Sequence, residues 1–428
     1  MTDKVPRFLY KRKLFNRLNA FYIQRLSVDR GRKRIEFLKK NKLPNIGTTQ
    51  QTRQLLLDVS VIVQNDAGTG IQRVVREIWS GLERNISQTP DFILMPIYAT
   101  RKNKYRYLGV GGVPSVFVCT VEANRGDVFF GLDWSANIVT SNHMDLFNWK
   151  MQGVVLNFVL YDMLPFLNKE WFTPQTRKKF IKWLELISKY ADNIFCISDV
   201  VKNDFQAWIY EKMDTSAGKP QLHNVPLGVN LSLSNKATVA NSPAHLKEVL
   251  ANEYVLMVGT LEPRKSHQEV LDAFDVLWGK GSGMSLVFVG RPGWHTEDLQ
   301  NRINNHPCNM KKLFWFNNAD DFLLHTLYKH STGVVVASKG EGFGLPLIEA
   351  LSYNKKVLAR NLPVFKEIAG ASINYFDNHN PLLLSNAIEI WLQSSGSEGA
   401  SKKISSWDSV SLVWLDAVKK TLLPMSLK

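Results

Sequence analysis

From residue 55 onward, short apolar runs alternate with segments of helical periodicity, and this alternation constrains the fold more than any other feature of the chain. A strand, a helix and a second strand close as a parallel pair with the helix on one face. Repeated alternation therefore predicts an α/β protein whose parallel sheets are covered on both sides. The apolar runs predict strands at 55–63, 93–99, 115–121, 127–133, 154–162, 193–198 and 224–229, then at 254–259, 286–290, 312–316, 333–338, 357–360 and 373–376. A polar stretch with repeated Ser, Asn and Ala at 231–242 separates the two groups and reads as a linker. The 428 residues thus divide into a basic segment 1–50, two doubly wound domains at 51–230 and 243–404, and a final helix at 405–428. Two such domains facing each other leave a cleft, and their functional residues belong in loops at the carboxyl ends of the strands.

The net charge of +15 is unevenly placed. Residues 1–42 hold fourteen Lys and Arg against Asp3, Asp29 and Glu36, so this leader carries +11 and the body is nearly balanced. Within it, Leu14, Leu18 and Phe21, and Phe15, Leu18, Tyr22 and Leu26, recur at spacings of three and four with Arg and Lys between them. A basic helix with a leucine and aromatic stripe suits an anionic membrane surface. A helix packed on the body with a solvated basic face is the alternative; nucleic acid is disfavoured, because no recognisable binding module follows. No apolar run nears the ~20 residues needed to span a bilayer. Cys119, Cys196 and Cys308 lie far apart, which argues against a zinc site or disulfide framework and fits a reducing cytoplasm.

The chemistry is concentrated in residues 338–350, SKGEGFGLPLIEA, directly after an apolar strand. Gly342 and Gly344 allow backbone angles other residues avoid and leave room for a ligand. Pro346 suits the first helical turn. The expected result is strand, glycine loop and helix N-terminus, whose free N–H groups form an anion site. Glu341 and Glu349 flank that site, and both would point near the anion. Carboxylates repel phosphate, so they would accept hydrogen bonds from hydroxyls; a nucleotide sugar has hydroxyls at both ends and a diphosphate between. An ordinary helix start with dipole-favoured acidic residues is the bland alternative.

This segment resembles that of the retaining glycosyltransferases of family 4, which have the GT-B fold of two Rossmann-like domains around a central cleft. The resemblance covers roughly residues 53–420. It includes the GTLEPRKSH stretch at 259–267, the strand and RPGW loop at 286–294, residues 316–328, and the ARNLPVFKEI stretch at 359–368. In the first half YDMLP at 161–165, CISD at 196–199 and PLGVN at 226–230 also match. The final helix looks like the family's terminal helix, which crosses back to the first domain.

The resemblance implies roles residue by residue. Arg264 and Lys265 would grip the donor diphosphate, where preorganised cations stabilise the charge of the departing nucleotide. Glu341 would contact the donor sugar, Phe343 and Gly344 would offer amides beside Gly342 and Leu345, and Glu349 would bind the ribose. Gly290, Arg291 and Asn317 would frame the base. The loop with Gly68, Thr69, Gly70 and Arg73 matches the family's interdomain glycine loop, facing donor phosphate and acceptor; a structural turn with an exposed Arg73 is the alternative. Tyr161 stands where many members have His; it and Asp162 would lie near the site, or form a buried strand end. Attack from the front face would let the donor phosphate take the acceptor proton, so no nucleophile is needed. The chain has no D-x-D triplet, which weighs against a metal. No cofactor is expected.

The wording is most like mannosyltransferases of O-antigen or capsule assembly. The expected partners are GDP-mannose, a lipid-linked oligosaccharide and an anionic membrane reached through residues 1–42, at the cytoplasmic face of the plasma membrane. Another hexosyl or rhamnosyl transfer from a UDP-, dTDP- or GDP-sugar, a GT-B epimerase or sugar-phosphate synthase, and a silent scaffold are the alternatives.

Overall fold

The computed structural model describes residues 7–40, 52–89, 92–109, 119–213, 218–230, 245–377, 380–394 and 404–421. The linker expected at 231–242 and most of the strand expected at 115–121 lie outside the described residues. The chain forms two compact units, Met1–Pro226 with Trp407–Lys428, and Leu227–Ser406.

The first unit is built on β1 Arg53–Asp58, β2 Phe92–Tyr98, β3 Arg106–Tyr107, β4 Val128–Gly131, β5 Val155–Leu160, β6 Asn193–Cys196 and β7 Gln221–Asn224. Their order is β3-β2-β1-β4-β5-β6-β7. Every pair is parallel except β2–β3. The central strands are continuous apolar runs because helices cover both faces: Leu55, Leu56, Leu57, Phe129, Phe130 and Leu160 are all fully buried. Helix Trp407–Lys420 closes this unit against helix Gly70–Asn85. Trp414 is fully buried there, stacks on Phe195 at 6.4 Å and donates its Nε1–H to the Pro226 carbonyl at 2.8 Å.

Two strand expectations need correction, and one strand had no expectation at all. β1 ends at Asp58 and not at 63, because Asp58 accepts the Ser60 N–H at 3.0 Å and turns the chain. Asp133 then accepts the amides of Val61 and Ile62 at 2.9 and 2.8 Å. The last strand of this sheet is the polar Gln221–Asn224 and not 224–229. Pro226 lacks an N–H for a ladder, whereas His223 bonds Asn193 at 2.9 Å and stacks on Phe195. β3 is a two-residue antiparallel edge with no sequence signal of its own.

The described part of the basic segment, helices Arg7–Arg25 and Val28–Lys40, belongs to this unit. The second helix buries Val28, Gly31, Arg32 and Ile35 against helix Pro174–Tyr190. Arg32 donates to the carbonyls of Ser188 and Ala191 at 3.0 and 2.9 Å, and also to that of Gly218. A cation thus meets the negative C-terminal end of a helix, where the last carbonyls lack partners.

The second unit holds β8 Tyr254–Val258, β9 Ser285–Val289, β10 Leu313–Phe316, β11 Gly333–Val336, β12 Lys356–Arg360 and β13 Asn374–Phe376. All are parallel, in the order β10-β9-β8-β11-β12-β13. Val255, Phe274, Phe288, Leu313, Val335, Leu358 and Trp391 are among its core residues. The winding reverses between β8 and β11 here, and between β1 and β4 in the first unit. At such reversals adjacent strands send their connections to opposite faces, which opens a crevice at their carboxyl ends.

Candidate active site

In the second unit the β8 connection folds into a single 3-10 turn, Pro263–Lys265, and the β11 connection runs through Glu341 into helix Leu345–Ser352. The two meet at the reversal point. Lys265 Nζ donates to Glu341 Oε1, and Arg264 Nη1 donates to Glu341 Oε2 at 3.3 Å and to the Gly340 carbonyl at 3.1 Å. The Arg264 carbonyl accepts the Lys339 amide at 2.8 Å. All three side chains are mostly covered, at 18% exposed for Arg264, 13% for Lys265 and 11% for Glu341.

Burial alone would push the Glu341 carboxyl up, but Lys265 and Arg264 outweigh it and hold the group at about 2, against an ordinary 4.5. Burial lowers the Lys265 ammonium, with Glu341 acting in the opposite direction. His267 is buried beside Lys265, edge-on to Phe288 at 5.1 Å, and burial drives its imidazole down to about 3, so it is neutral. The site is therefore two cations around one carboxylate that is ionised at neutral pH.

Gly344 caps helix Leu345–Ser352 with φ +114°, and a Cβ there would fall 2.6 Å from the Phe365 ring. Glycine is the residue type that meets both conditions. Pro346 occupies the first turn and costs no hydrogen bond. Glu349, on the second turn, is buried and accepts the Tyr328 hydroxyl at 2.8 Å. At Gly290 a Cβ would collide with the Gly259 carbonyl at 2.0 Å, so the β8 and β9 loops touch backbone to backbone. Leu261 N–H to Arg291 O at 2.9 Å and Gly293 N–H to Leu261 O at 2.8 Å continue that seam. Asn317, after β10, helps line a cavity of about 200 Å³ with His245, Met310 and Trp315. Trp315 donates to the Gly290 carbonyl at 2.9 Å.

Sequence reasoning missed the ionic frame behind these loops. Glu269 on helix His267–Gly279 pairs with Lys339 at 2.7 Å and with Arg360 at 2.6 Å. Arg360 Nε donates to the Ala337 carbonyl at 2.9 Å. One carboxylate thus fixes the end of β11, the end of β12 and the loop leading to Glu341. Glu262, beside Arg264 at 3.0 Å, was within reach of sequence reasoning because the two stand two residues apart in one loop.

In the first unit the glycine loop is a cap. Gly68, with φ +65°, receives the Asp66 side chain on its N–H at 3.0 Å, and Thr69 forms a reciprocal capping box with Gln72 at the start of helix Gly70–Asn85. Arg73 is half-buried on the first turn of that helix. Tyr161 is buried at the end of β5 and donates to the Leu132 carbonyl at 2.7 Å; Asp162 accepts the Leu164 amide at 3.0 Å. At the reversal itself stands a polar cluster that the apolar runs concealed. Asp58 accepts the hydroxyls of Ser60, of Ser135 at 3.0 Å and of Tyr105 at 3.2 Å. Burial raises its carboxyl, and burial with the Asp58 charge nearby raises Asp133 to about 7.

Among the described residues no group of three or more His, Cys, Asp or Glu is set to hold a metal ion. All three cysteines are free. No helix among the described residues is long and apolar enough to cross a membrane.

The family model for glycosyl transferases group 1 matches residues 240–405. The serotype-specific mannosyltransferase WbdA of Escherichia coli is 36% identical over 355 residues, covering 81% of this chain and 43% of its own length. The chain thus spans less than half the length of these curated relatives. Among solved structures it is similar to Anabaena Alr3699/HepE in complex with UDP and glucose, with a TM-score of 0.57 at 13% identity over 86% of this chain and all of that one. Sucrose-phosphate synthase from Thermosynechococcus elongatus gives 0.59 at 15% identity over 86% of this chain and 98% of that one. These neighbours share the plan of two Rossmann-like parallel-sheet domains, the GT-B fold.

Proposed function

Starting from a chain that carries a glycosyl transferases group 1 domain and resembles O-antigen mannosyltransferases, we propose that it is a retaining, metal-independent hexosyltransferase. It moves mannose from GDP-mannose to a hydroxyl of a lipid-linked surface glycan such as O-antigen or capsule, at the cytoplasmic face of the plasma membrane.

One observation carries the reading: Arg264 and Lys265 converge on an ionised Glu341 at the β8/β11 reversal, beside the N-terminus of helix Leu345–Ser352. The donor diphosphate lies against the two cations and the amides of Gly342, Phe343, Gly344 and Leu345. Arg264 supplies a flat fork for bidentate contact and Lys265 a compact charge. Glu341, held deprotonated, accepts hydrogen bonds from the sugar and cannot serve as an acid. The bond from C1 to the diphosphate oxygen breaks as the acceptor oxygen bonds C1 from the same face, and the acceptor proton ends on the departing diphosphate. Charge grows on that diphosphate in the transition state, where fixed cations act most strongly. Glu349 holds the ribose; Gly290, Arg291 and Asn317 border the base; Gly68, Thr69, Gly70, Arg73, Tyr161 and Asp162 serve the acceptor side.

The test is a thermal-shift panel of GDP-mannose beside UDP- and dTDP-sugars, with chelator present, on the wild type and on Lys265→Ala. A true donor at ~100 times its dissociation constant stabilises by roughly 2.7 kcal/mol. The reading fails if no nucleotide sugar stabilises the protein, or if Lys265→Ala responds as the wild type does. The anomeric configuration of the product, read by NMR, tests retention.

A further inference from the structure

Helix Arg7–Arg25 is apolar on two sides, and the fold uses only one of them. Its inner side buries Asn19, Ala20 and Ile23 and is pinned by Asn16 donating to Asn148 at 3.0 Å and by Arg34 donating to Asn19 at 2.9 Å. Its outer side leaves Leu14, Phe15, Leu18, Phe21 and Tyr22 between 49% and 60% exposed. No other helix among the described residues exposes more than three large apolar side chains. Positions 14, 18, 21 and 22 follow each other at helical spacing, so the exposed residues form one continuous strip.

Exposed cations stand on this helix and on the next. Arg17 and Arg25 are exposed on the same helix, with the Arg25 guanidinium 4.0 Å above the Phe21 ring. Arg30, Lys33, Lys39 and Lys40 are exposed on the next helix, beside an exposed Phe37. The acidic residues there, Asp29 and Glu36, already face Lys33 at 2.9 Å and Lys39 at 3.7 Å.

We propose that this strip docks on an anionic lipid bilayer. Leucines without a partner call for an apolar phase, aromatic rings favour its boundary with water, and the exposed cations match lipid phosphates; a bilayer surface offers all three at one depth. A folded nucleic acid offers no apolar phase for Leu14 and Leu18, and a second copy of this chain would bring the same cations face to face. Because the inner side is already packed, the helix is presented in shape and loses little freedom on binding. The surface rests on these residues alone; it also locates the membrane contact that a lipid-linked acceptor requires.

The experiment is co-sedimentation of the full chain with vesicles of equal parts phosphatidylethanolamine and phosphatidylglycerol, against vesicles of phosphatidylcholine. The wild type should bind the anionic vesicles at least tenfold more strongly. Each basic residue near such a surface contributes about fivefold, so Arg17→Glu with Arg25→Glu should lower binding more than tenfold. The triple change Leu18→Ser, Phe21→Ser, Tyr22→Ser should lower it at least tenfold, with melting temperature and nucleotide stabilisation unchanged. Equal sedimentation of wild type and triple variant overturns the proposal. So does a wild type that ignores vesicles but elutes as a dimer where the triple variant is monomeric. If vesicle binding behaves as expected while no nucleotide sugar stabilises the protein, the surface stands and the assigned transfer falls.

Discussion

Replacing Glu341 by Gln keeps the size of the side chain and one acceptor oxygen but removes the charge that Lys265 and Arg264 face. The carboxyl moves from an ordinary 4.5 to about 2 on folding. One pH unit corresponds to about 1.4 kcal/mol, so the ionised form contributes roughly 3 kcal/mol. A carboxyl depressed by folding stabilises fully above its unfolded value, and that stabilisation disappears as the pH falls through its folded value. The wild type should therefore exceed Glu341→Gln by about 3 kcal/mol at pH 7, which for a unit of this size is about 6–12 °C in melting temperature. The gap should begin to narrow below about pH 4.5 and be nearly closed at about pH 2. Chemical denaturation at pH 7, 4.5 and 3 measures it. A gap below about 1 kcal/mol at pH 7, or one that does not shrink on acidification, would refute the claim that the cation pair sets this carboxylate.

Two further perturbations probe the loops. Gly344→Ala places a methyl 2.6 Å from the Phe365 ring at a left-handed position, so stability should fall by about 3 kcal/mol; an unchanged urea midpoint would remove the steric reason for that glycine. Asp133, raised from 3.8 to about 7, is protonated more readily in the folded protein than in the unfolded chain, so wild-type stability should decline as the pH rises from about 4 to above 7, by up to about 4 kcal/mol. A carboxamide does not titrate, so Asp133→Asn should gain on the wild type across that interval; parallel pH profiles would contradict it.

The second unit was legible almost strand for strand, because its strands are unbroken apolar runs ended by Gly259, Gly290 and the 338–344 loop. The first unit was less so. Its β1 run continues in apolar residues to Val63, and only the distant Asp133 reveals that Val61 and Ile62 belong to a turn. Its edge strand β7 is polar and held by side-chain pairing to β6, which no periodicity announces. The same limit hid the Glu269–Lys339–Arg360 frame: these charges stand far apart in the chain and meet only once β11 and β12 lie side by side. Helix Arg7–Arg25 defeated a one-face reading because its apolar residues serve two surroundings.

The return of helix Trp407–Lys420 to the first unit makes the second unit an insert, entered after Pro226 and left before Trp407. Val229 and Ser406 pair at the neck of that insert. A gene cut short at codon 226 would strip the first sheet of Trp414 and leave Phe130 and Phe195 bare. A gene in which a brief spacer joins Pro226 to Trp407 would retain that cover, so excision from the middle, and not trimming from the end, is the route to each half as a separate polypeptide.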